Sequence, residues 1–363
     1  MHRCLELARL GAGYVAPNPM VGAVLVYEDR IIGEGWHQQY GEAHAEVNAI
    51  HQAAQSGQMD LSQSTLYVSL EPCAHFGKTP PCVDLIIENK IPKVFIGCQD
   101  PFKEVDARLN DVVGQGKGME RLRAAGVEVE LADRLLGYEC KKINKRFLTF
   151  HTQQRPYIIL KWAQTADGKM AHPPPEGRIL DPTINRLLIS NEYSNRLVHQ
   201  WRSEEAAILV GTTTALLDNP ELTTRLWTGP SPIRLVVDMN LRLPLSLKIF
   251  NGEVKTIIFN TIKQEEKENL FYYKLKKDRS LVTQLIAALY QLKIQSVLVE
   301  GGAKLLQSFI DDDLWDEIRI INNYGLTAGD GLNAPKPGNA ILVESEELLS
   351  DTIETYVPTR PDY

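Results

Sequence analysis

Apolar and polar positions alternate between helical and strand-like spacing along the whole chain. Residues 3–10 predict a helix that stops before Gly11 and Gly13. Residues 21–27 and 31–36 are β-rich runs split by Glu28-Asp29, the mark of a hairpin. Residues 43–54 predict a helix, 65–70 a strand, 82–89 a helix and 93–96 a strand. Residues 118–125 and 127–131 close this pattern, which implies helices layered over a sheet. Residues 133–155 are rich in Lys, Arg and Gln, carry no strand signal and predict a linker helix and a joint. A second α/β pattern starts at Arg155-Pro156, with strands at 157–162, 206–210, 233–238, 255–260, 296–299 and 317–321. Its clearest helix is 184–202, where Leu187, Leu188, Leu197, Val198 and Trp201 keep helical spacing. No internal repeat is present.

Length and charge narrow the picture. A chain of 363 residues exceeds what one core of about 250 residues holds, so two domains are expected, 1–144 and 145–363. The composition, 44% hydrophobic and 23% charged, is that of a globular protein that needs no disulfide framework. The net charge of -7 argues against nucleic acid as partner and for a small molecule. No apolar run reaches the roughly 18 residues of a membrane span. Cys4, Cys73, Cys82, Cys98 and Cys140 are odd in number and irregular in spacing, and the start shows no secretory pattern, which points to a reducing cytoplasm. The chain opens on residues already helical in character, so a few leading residues are expected to be missing.

The densest chemistry lies in His44-Ala45-Glu46 and Pro72-Cys73, with Cys82 nine positions on. One imidazole and two thiols suit three corners of a tetrahedral zinc site, and a catalytic site keeps the fourth for water. Glu46 stays off the metal and moves protons, as in the zinc deaminases of nucleobases. Those enzymes place two residues between their cysteines; here there are eight, Ala74 to Pro81, so a long loop displays His75 and Lys78. His44 and Glu46 can share a site only at the opening turn of a helix, because positions two apart face different ways further in. A closed structural site, with Cys98 or His75 as fourth ligand, remains the alternative. Asn18 in Pro17-Asn18-Pro19 reads equally as turn chemistry, and His37 as the end of a hairpin.

In the second half, Ser296-Val297-Leu298-Val299-Glu300-Gly301-Gly302 is a buried strand meeting a glycine pair and a helix from Ala303. Such a turn lets backbone N–H groups approach a phosphate, though it is not the Rossmann fingerprint. Gly211-Thr212-Thr213-Thr214 is a second turn of this kind, with helix capping as its plainer reading. Lys161 sits in a strand-like run and needs a partner, for which Glu300 is the candidate.

Taken together, these motifs resemble the bifunctional riboflavin-biosynthesis deaminase-reductase family. The resemblance rests on Pro17-Asn18-Pro19-x-Val21-Gly22, Gly41-Glu42-x-His44-Ala45-Glu46, Leu70-Glu71-Pro72-Cys73-x-His75-x-Gly77-Lys78-Thr79-Pro80-Pro81-Cys82 and Gln99-Asp100-Pro101. It continues in Lys161-x-Ala163-x-Thr165-x-Asp167-Gly168-Lys169, Asp218-Asn219-Pro220-x-Leu222-Thr223-x-Arg225 and Val299-Glu300-Gly301-Gly302, covering nearly the whole chain. It implies a cytidine-deaminase-like three-layer α/β/α domain followed by a dihydrofolate-reductase-like α/β domain. It implies hydrolytic deamination of a phosphorylated diaminopyrimidine, then NADPH-dependent reduction of its ribose to a ribityl chain. His44, Cys73 and Cys82 match the ligands of one zinc ion per chain, and Glu46 the proton shuttle. Asn18, His37, His75 and Lys78 match deaminase substrate contacts. Lys161, Asp218 and Glu300 match polar residues at the reacting ribose, and Arg202, Leu222 and Arg225 match reductase substrate contacts. Ala163, Thr214, Asp218, Gly302, Ala303 and Lys304 match the cofactor pocket. A homodimer through the reductase half is also implied. The chain departs from the family pattern at 171–188, a longer segment containing His172-Pro173-Pro174-Pro175 that puts Arg186 and Leu188 where Ser and Trp are common.

Three rivals stand beside this reading: a nucleoside or polynucleotide deaminase with an unrelated C-terminal binding module, a non-enzymatic protein stapled by zinc, and a deaminase whose reductase half is silent. The acidic balance counts against the first and Glu46 against the second.

Overall fold

The computed structural model describes residues 1–57, 60–76, 80–101, 103–106, 111–114, 117–172 and 187–359. Contacts divide the chain into two compact units, Met1–Arg155 and Pro156–Tyr363. The helix Lys145–Gln153, which sequence alone assigns to the second domain, belongs to the first unit.

The first unit runs α1 (His2–Arg9), β1 (Gly22–Tyr27), β2 (Arg30–Trp36), α2 (Ala45–Gln55), β3 (Thr65–Leu70), α3 (Cys82–Glu88), β4 (Lys93–Cys98), β5 (Lys103–Asp106), β6 (Asp111–Gly114), α4 (Lys117–Ala124), β7 (Glu128–Leu131), α5 (Arg134–Ile143) and α6 (Lys145–Gln153). Its main sheet has the order β2-β1-β3-β4-β7. Glu28 and Asp29 both take positive φ, 46° and 58°, the pair of left-handed residues that a two-residue hairpin turn requires. β3, β4 and β7 are parallel, and α3 and α4 make the crossovers. Ala45, Ala49, Val83, Ile86, Met119 and Leu122 from α2, α3 and α4 pack with Ala23, Leu25, Leu66, Val68, Val94 and Ile96 on one face of the sheet. Cys4 and Leu7 of α1 pack with Val24 on the other, and Leu5 and Cys140, from α1 and α5, join Leu70 and Cys98 at the ends of β3 and β4. This is the expected three-layer sandwich.

The second unit runs β8 (Tyr157–Thr165), β9 (Lys169–Ala171), α7 (Glu192–Glu204), β10 (Ala207–Gly211), α8 (Thr212–Asp218), β11 (Ile233–Val237), β12 (Thr256–Asn260), β13 (Glu265–Lys267), β14 (Leu270–Lys274), α9 (Leu281–Gln291), β15 (Ser296–Val299), α10 (Ala303–Asp311), β16 (Glu317–Asn323), β17 (Leu332–Asn333), β18 (Ala340–Leu348) and β19 (Asp351–Pro358). A ten-stranded sheet has the order β13-β14-β12-β11-β10-β15-β8-β16-β19-β18. The stretch from β14 to β16 is parallel throughout. The neighbours β10 and β15 send their helices to opposite faces: Ala215 of α8 packs with Ile208 and Val236, Leu305 and Phe309 of α10 with Leu209 and Val299. A crevice at the carboxyl ends of such a strand pair is where open α/β sheets take ligands.

Two expectations are corrected. The helix expected at 184–202 is α7, which starts only at Glu192, because the Asn191 side chain accepts from the N–H groups of Tyr193 and Ser194 and caps it there. Leu188 precedes it and is 73% exposed, so its apparent helical spacing has no core to face; residues 184–186 lie outside the described residues. Residues 133–155 form two helices, α5 and α6, with the Asp133 side chain capping the first. Among the described residues no helix is long and apolar enough to cross a membrane.

Candidate active sites

In the first unit the site forms where β2, β3, α2 and α3 end or begin. His44 is the N-cap of α2, with φ -74° and ψ 167°. Its backbone is therefore extended, and it does not follow helical spacing with Glu46, which lies in the first turn. Gly35 makes this possible: a side chain there would run into the Ala45 carbonyl, so only glycine lets β2 lie so close under the start of α2. Asn48 fastens the same corner by donating to the Trp36 carbonyl at 2.8 Å. Cys73 follows β3, and Cys82 opens α3.

His44 Nδ1, Cys73 Sγ and Cys82 Sγ all lie within 4.8 Å of one another. The imidazole nitrogen is 3.5 Å from one sulfur and 3.3 Å from the other. Zinc bonds of roughly 2.0 Å to nitrogen and 2.3 Å to sulfur give a tetrahedral N···S edge of about 3.5 Å, which both nitrogen–sulfur separations match. Cys73 is held down to about 4, first by its hydrogen bond with Cys82 and then by His44. The same hydrogen bond, with burial, pushes the Cys82 thiol up, so the pair favours one thiolate, on Cys73.

Glu46 is 3% exposed, and burial raises its pKa while His44 opposes the rise. His37 is 2% exposed and lies edge-on to His44, with ring centroids 5.3 Å apart. Its Nδ1–H donates to the Ala43 carbonyl at 3.0 Å, so its Nε2 accepts from the Asn18 side chain, also at 3.0 Å. Burial lowers the pKa of His37, which keeps the ring in this neutral form. Asn18, His37, His44, Glu46, Cys73 and Cys82 are therefore gathered at one place. His75 is half-buried in the loop after Cys73. Lys78 lies outside the described residues.

Sequence reasoning gives no role to Glu71, although it quotes the residue in its motif. Its buried carboxylate accepts from the N–H of Met119 at 3.1 Å, in the first turn of α4, and from that of Asp100 at 3.2 Å. It ties the strand end that carries Cys73 to the two neighbouring segments.

In the second unit, Glu300 follows β15 directly and is gripped by Arg202 of α7. Two parallel bonds of 2.7 Å join Arg202 Nε and Nη2 to the two carboxylate oxygens. Burial alone would raise the pKa of Glu300, but the charge and hydrogen bonds of Arg202, together with the charge of Lys161, bring it down to about 2. Sequence alone pairs Lys161 with Glu300; the direct partner is Arg202, and Lys161 acts on Glu300 through its charge. Lys161 stands on β8 opposite Arg319 of β16, and Ala163 opposite Ile321.

Gly302 is the N-cap of α10 at φ +76°, a conformation that suits glycine, and Ala303 and Lys304 open that helix. A Cβ on Gly301 would stand 2.8 Å from Thr214 Cγ2, so the first turn of α8 rests against the glycine pair. Thr214 in α8 and Gly302, Ala303 and Lys304 at the start of α10 thus lie beyond the carboxyl ends of β10 and β15. Asp218 ends α8, Leu222 is buried at φ +54°, and Arg225 lies in an open cleft with Arg196, Leu226, Trp227 and Thr228. His199, one turn before Arg202 on α7, is a site neighbour that sequence reasoning missed.

Comparison with known proteins agrees in both halves. The family of the cytidine and deoxycytidylate deaminase zinc-binding region matches residues 1–98, and the RibD C-terminal domain family matches residues 156–324. A riboflavin biosynthesis protein RibD of Aquifex aeolicus is 38% identical, over 98% of this chain and 94% of its own. That of Actinobacillus pleuropneumoniae is 36% identical, over 97% and 93%. The crystal structure of a diaminohydroxyphosphoribosylaminopyrimidine deaminase/5-amino-6-(5-phosphoribosylamino)uracil reductase from Thermotoga maritima superposes with a TM-score of 0.84 at 36% identity, covering 99% of this chain and 97% of that one. Acinetobacter baumannii RibD gives 0.80 at 29% identity, over 99% and 98%. With a zinc-type donor set in one unit and a glycine-paired crevice in the other, the chain belongs to the RibD family of bifunctional riboflavin-biosynthesis deaminase-reductases.

Proposed function

We propose that the first unit deaminates 2,5-diamino-6-(5-phosphoribosylamino)pyrimidin-4(3H)-one, and that the second reduces the ribosyl group of the product to give 5-amino-6-(5-phosphoribitylamino)uracil. One observation carries the first half: three metal-type donors converge beside a buried carboxylate that is not one of them. His44, Cys73 and Cys82 hold one zinc ion. When bound, zinc supplies the Lewis acidity that makes water a nucleophile near neutral pH. Glu46 carries one proton of the attacking water to the ring nitrogen and then moves the remaining hydroxyl proton to the amine, which leaves as ammonia. Asn18 and His37 orient the pyrimidine, and His75 and Lys78 reach it from the long loop between the cysteines.

In the second unit, Thr214, Gly302, Ala303 and Lys304, with Ala163 and Asp218, hold NADPH at the β10/β15 crevice. The nicotinamide supplies the hydride. Lys161, Asp218 and Glu300 surround the ribose, where one of them delivers a proton. Leu222 and Arg225 contact the substrate, and Arg202 does so through the edge of its pair with Glu300. The arginines suit a phosphate. We place the protein in the cytoplasm as a homodimer through its second unit, acting on a small molecule and not on nucleic acid.

The test is metal analysis joined to two assays on one preparation. Ammonia release from the diaminopyrimidine and NADPH oxidation with the deaminated intermediate should both occur, with one zinc per chain. Ammonia release that survives intact in Glu46→Gln would remove the deaminase reading. An inert NADPH assay would leave the second unit as a silent relative.

A further inference from the structure

His199 is 4% exposed on α7 and has no part in the chemistry above. Its Nδ1 accepts from the backbone N–H of Leu226 at 3.4 Å. A neutral ring then carries its proton on Nε2, where it can only donate. The backbone of Thr223 is a neighbour that raises the pKa of the ring. Arg202 Nη1 donates to the Thr223 carbonyl oxygen at 3.2 Å and lies 3.5 Å from His199 Nε2. The imidazole thus spans Thr223 and Leu226, and the segment it spans holds Arg225 and follows Leu222. One turn along the same helix face, Arg202 carries the connection to Glu300.

We propose that His199 is a positioning residue of the reductase site, a neutral staple that holds the Leu222–Arg225 segment in register with the Arg202–Glu300 pair. This rests on the reading of the second unit given above. The charged groups that face the ring are Arg202 on its own helix, Arg225 on the stapled segment and Glu300 after β15. Burial, with the charges of Arg202 and Arg225, keeps the ring neutral, down to about 4. The neutral form is the one the staple needs, because a protonated ring would turn a second donor on the Leu226 N–H. Glutamine can both donate and accept, and leucine can do neither.

The experiment compares wild type, His199→Leu and His199→Gln as full chains holding zinc. The loss of two hydrogen bonds that only orient the substrate predicts a KM for the ribosyl substrate about tenfold or more higher in H199L. The KM for NADPH and the rate of ammonia release should stay near wild type, and H199Q should recover most of the loss. An unchanged substrate KM in H199L overturns the proposal. So does an equal loss in kcat and both KM values alongside a lower melting temperature, which marks a merely structural residue. Should H199L fail to fold, nitrogen-15 spectra of the wild-type ring decide: a bare Nδ1 and a protonated Nε2 at pH 6 support the staple, and any other state refutes it. These spectra also test the staple if wild type oxidises no NADPH with the ribosyl substrate, an outcome that sinks the reading of the second unit itself.

Discussion

Arg202 and Glu300 stand 98 positions apart in sequence and meet through two parallel bonds of 2.7 Å, with side chains 12% and 8% exposed. A planar guanidinium on a carboxylate is the geometry in which an ion pair withstands burial. Removing either partner leaves an uncompensated buried charge, a change that typically costs about 3–5 kcal/mol.

The pair makes the second unit sensitive to acid. The folded pKa of Glu300, about 2, lies below its ordinary value of 4.5. Its stabilisation is therefore complete above the ordinary value and is lost as pH falls through the folded one. The difference corresponds to roughly 3 kcal/mol. Urea unfolding of wild type and Glu300→Gln between pH 7 and 2 measures it. The stability gap between the two should be widest above pH 5 and close towards pH 2; a gap independent of pH would refute the assignment.

Glu46→Gln keeps the size of the side chain and removes its capacity to exchange protons. Ammonia release should fall by about a hundredfold or more. Zinc content and NADPH oxidation should stay at wild-type levels, because Glu46 is not among the clustered donors. A drop in zinc content would instead make it a ligand.

Cys82→Ala removes a donor that lies 3.3 Å from His44 Nδ1. It should abolish stoichiometric zinc and ammonia release together, while NADPH oxidation with already deaminated substrate continues. Retention of one tightly held zinc by this variant would mean that another side chain closes the site.

How much of this was legible in the sequence depends on how far apart the partners lie. His44, Cys73 and Cys82 stand at the ends of regular elements within short motifs, so residue type and element boundary together locate them. The grip of Arg202 on Glu300 leaves no local trace, and the need of a strand lysine for a partner points to Lys161 instead. The α7 start was available in Ser190-Asn191 as a cap, but three leucine and isoleucine positions before it imitate a helical stripe. The β18–β19 hairpin escaped for a different reason. Seven successive residues of β18, 341–347, are exposed, so the strand shows no alternation to read. Paired with β19 from Ala340↔Pro358 to Leu348↔Asp351, with a bulge between Leu342 and Glu344, it owes its place to a neighbour rather than to its own pattern.

The glycine pair offers the last test. A Cβ on Gly301 would stand 2.8 Å from Thr214 Cγ2 and 3.0 Å from its Oγ1, and Gly301 is buried, so Gly301→Ala must push the first turn of α8 away from β15. Overpacking of this kind typically costs about 1–3 kcal/mol. The displaced residue is one of those assigned to the cofactor, so the KM for NADPH should rise along with the loss of stability. Thr214→Ser removes the methyl and leaves the hydroxyl. Combined with G301A, it should restore part of both quantities, and the double-mutant cycle should show clear coupling. Ammonia release in the other unit provides the control. Additive effects in the cycle would mean that the two residues do not press on each other, and that the crevice is not shaped by their contact.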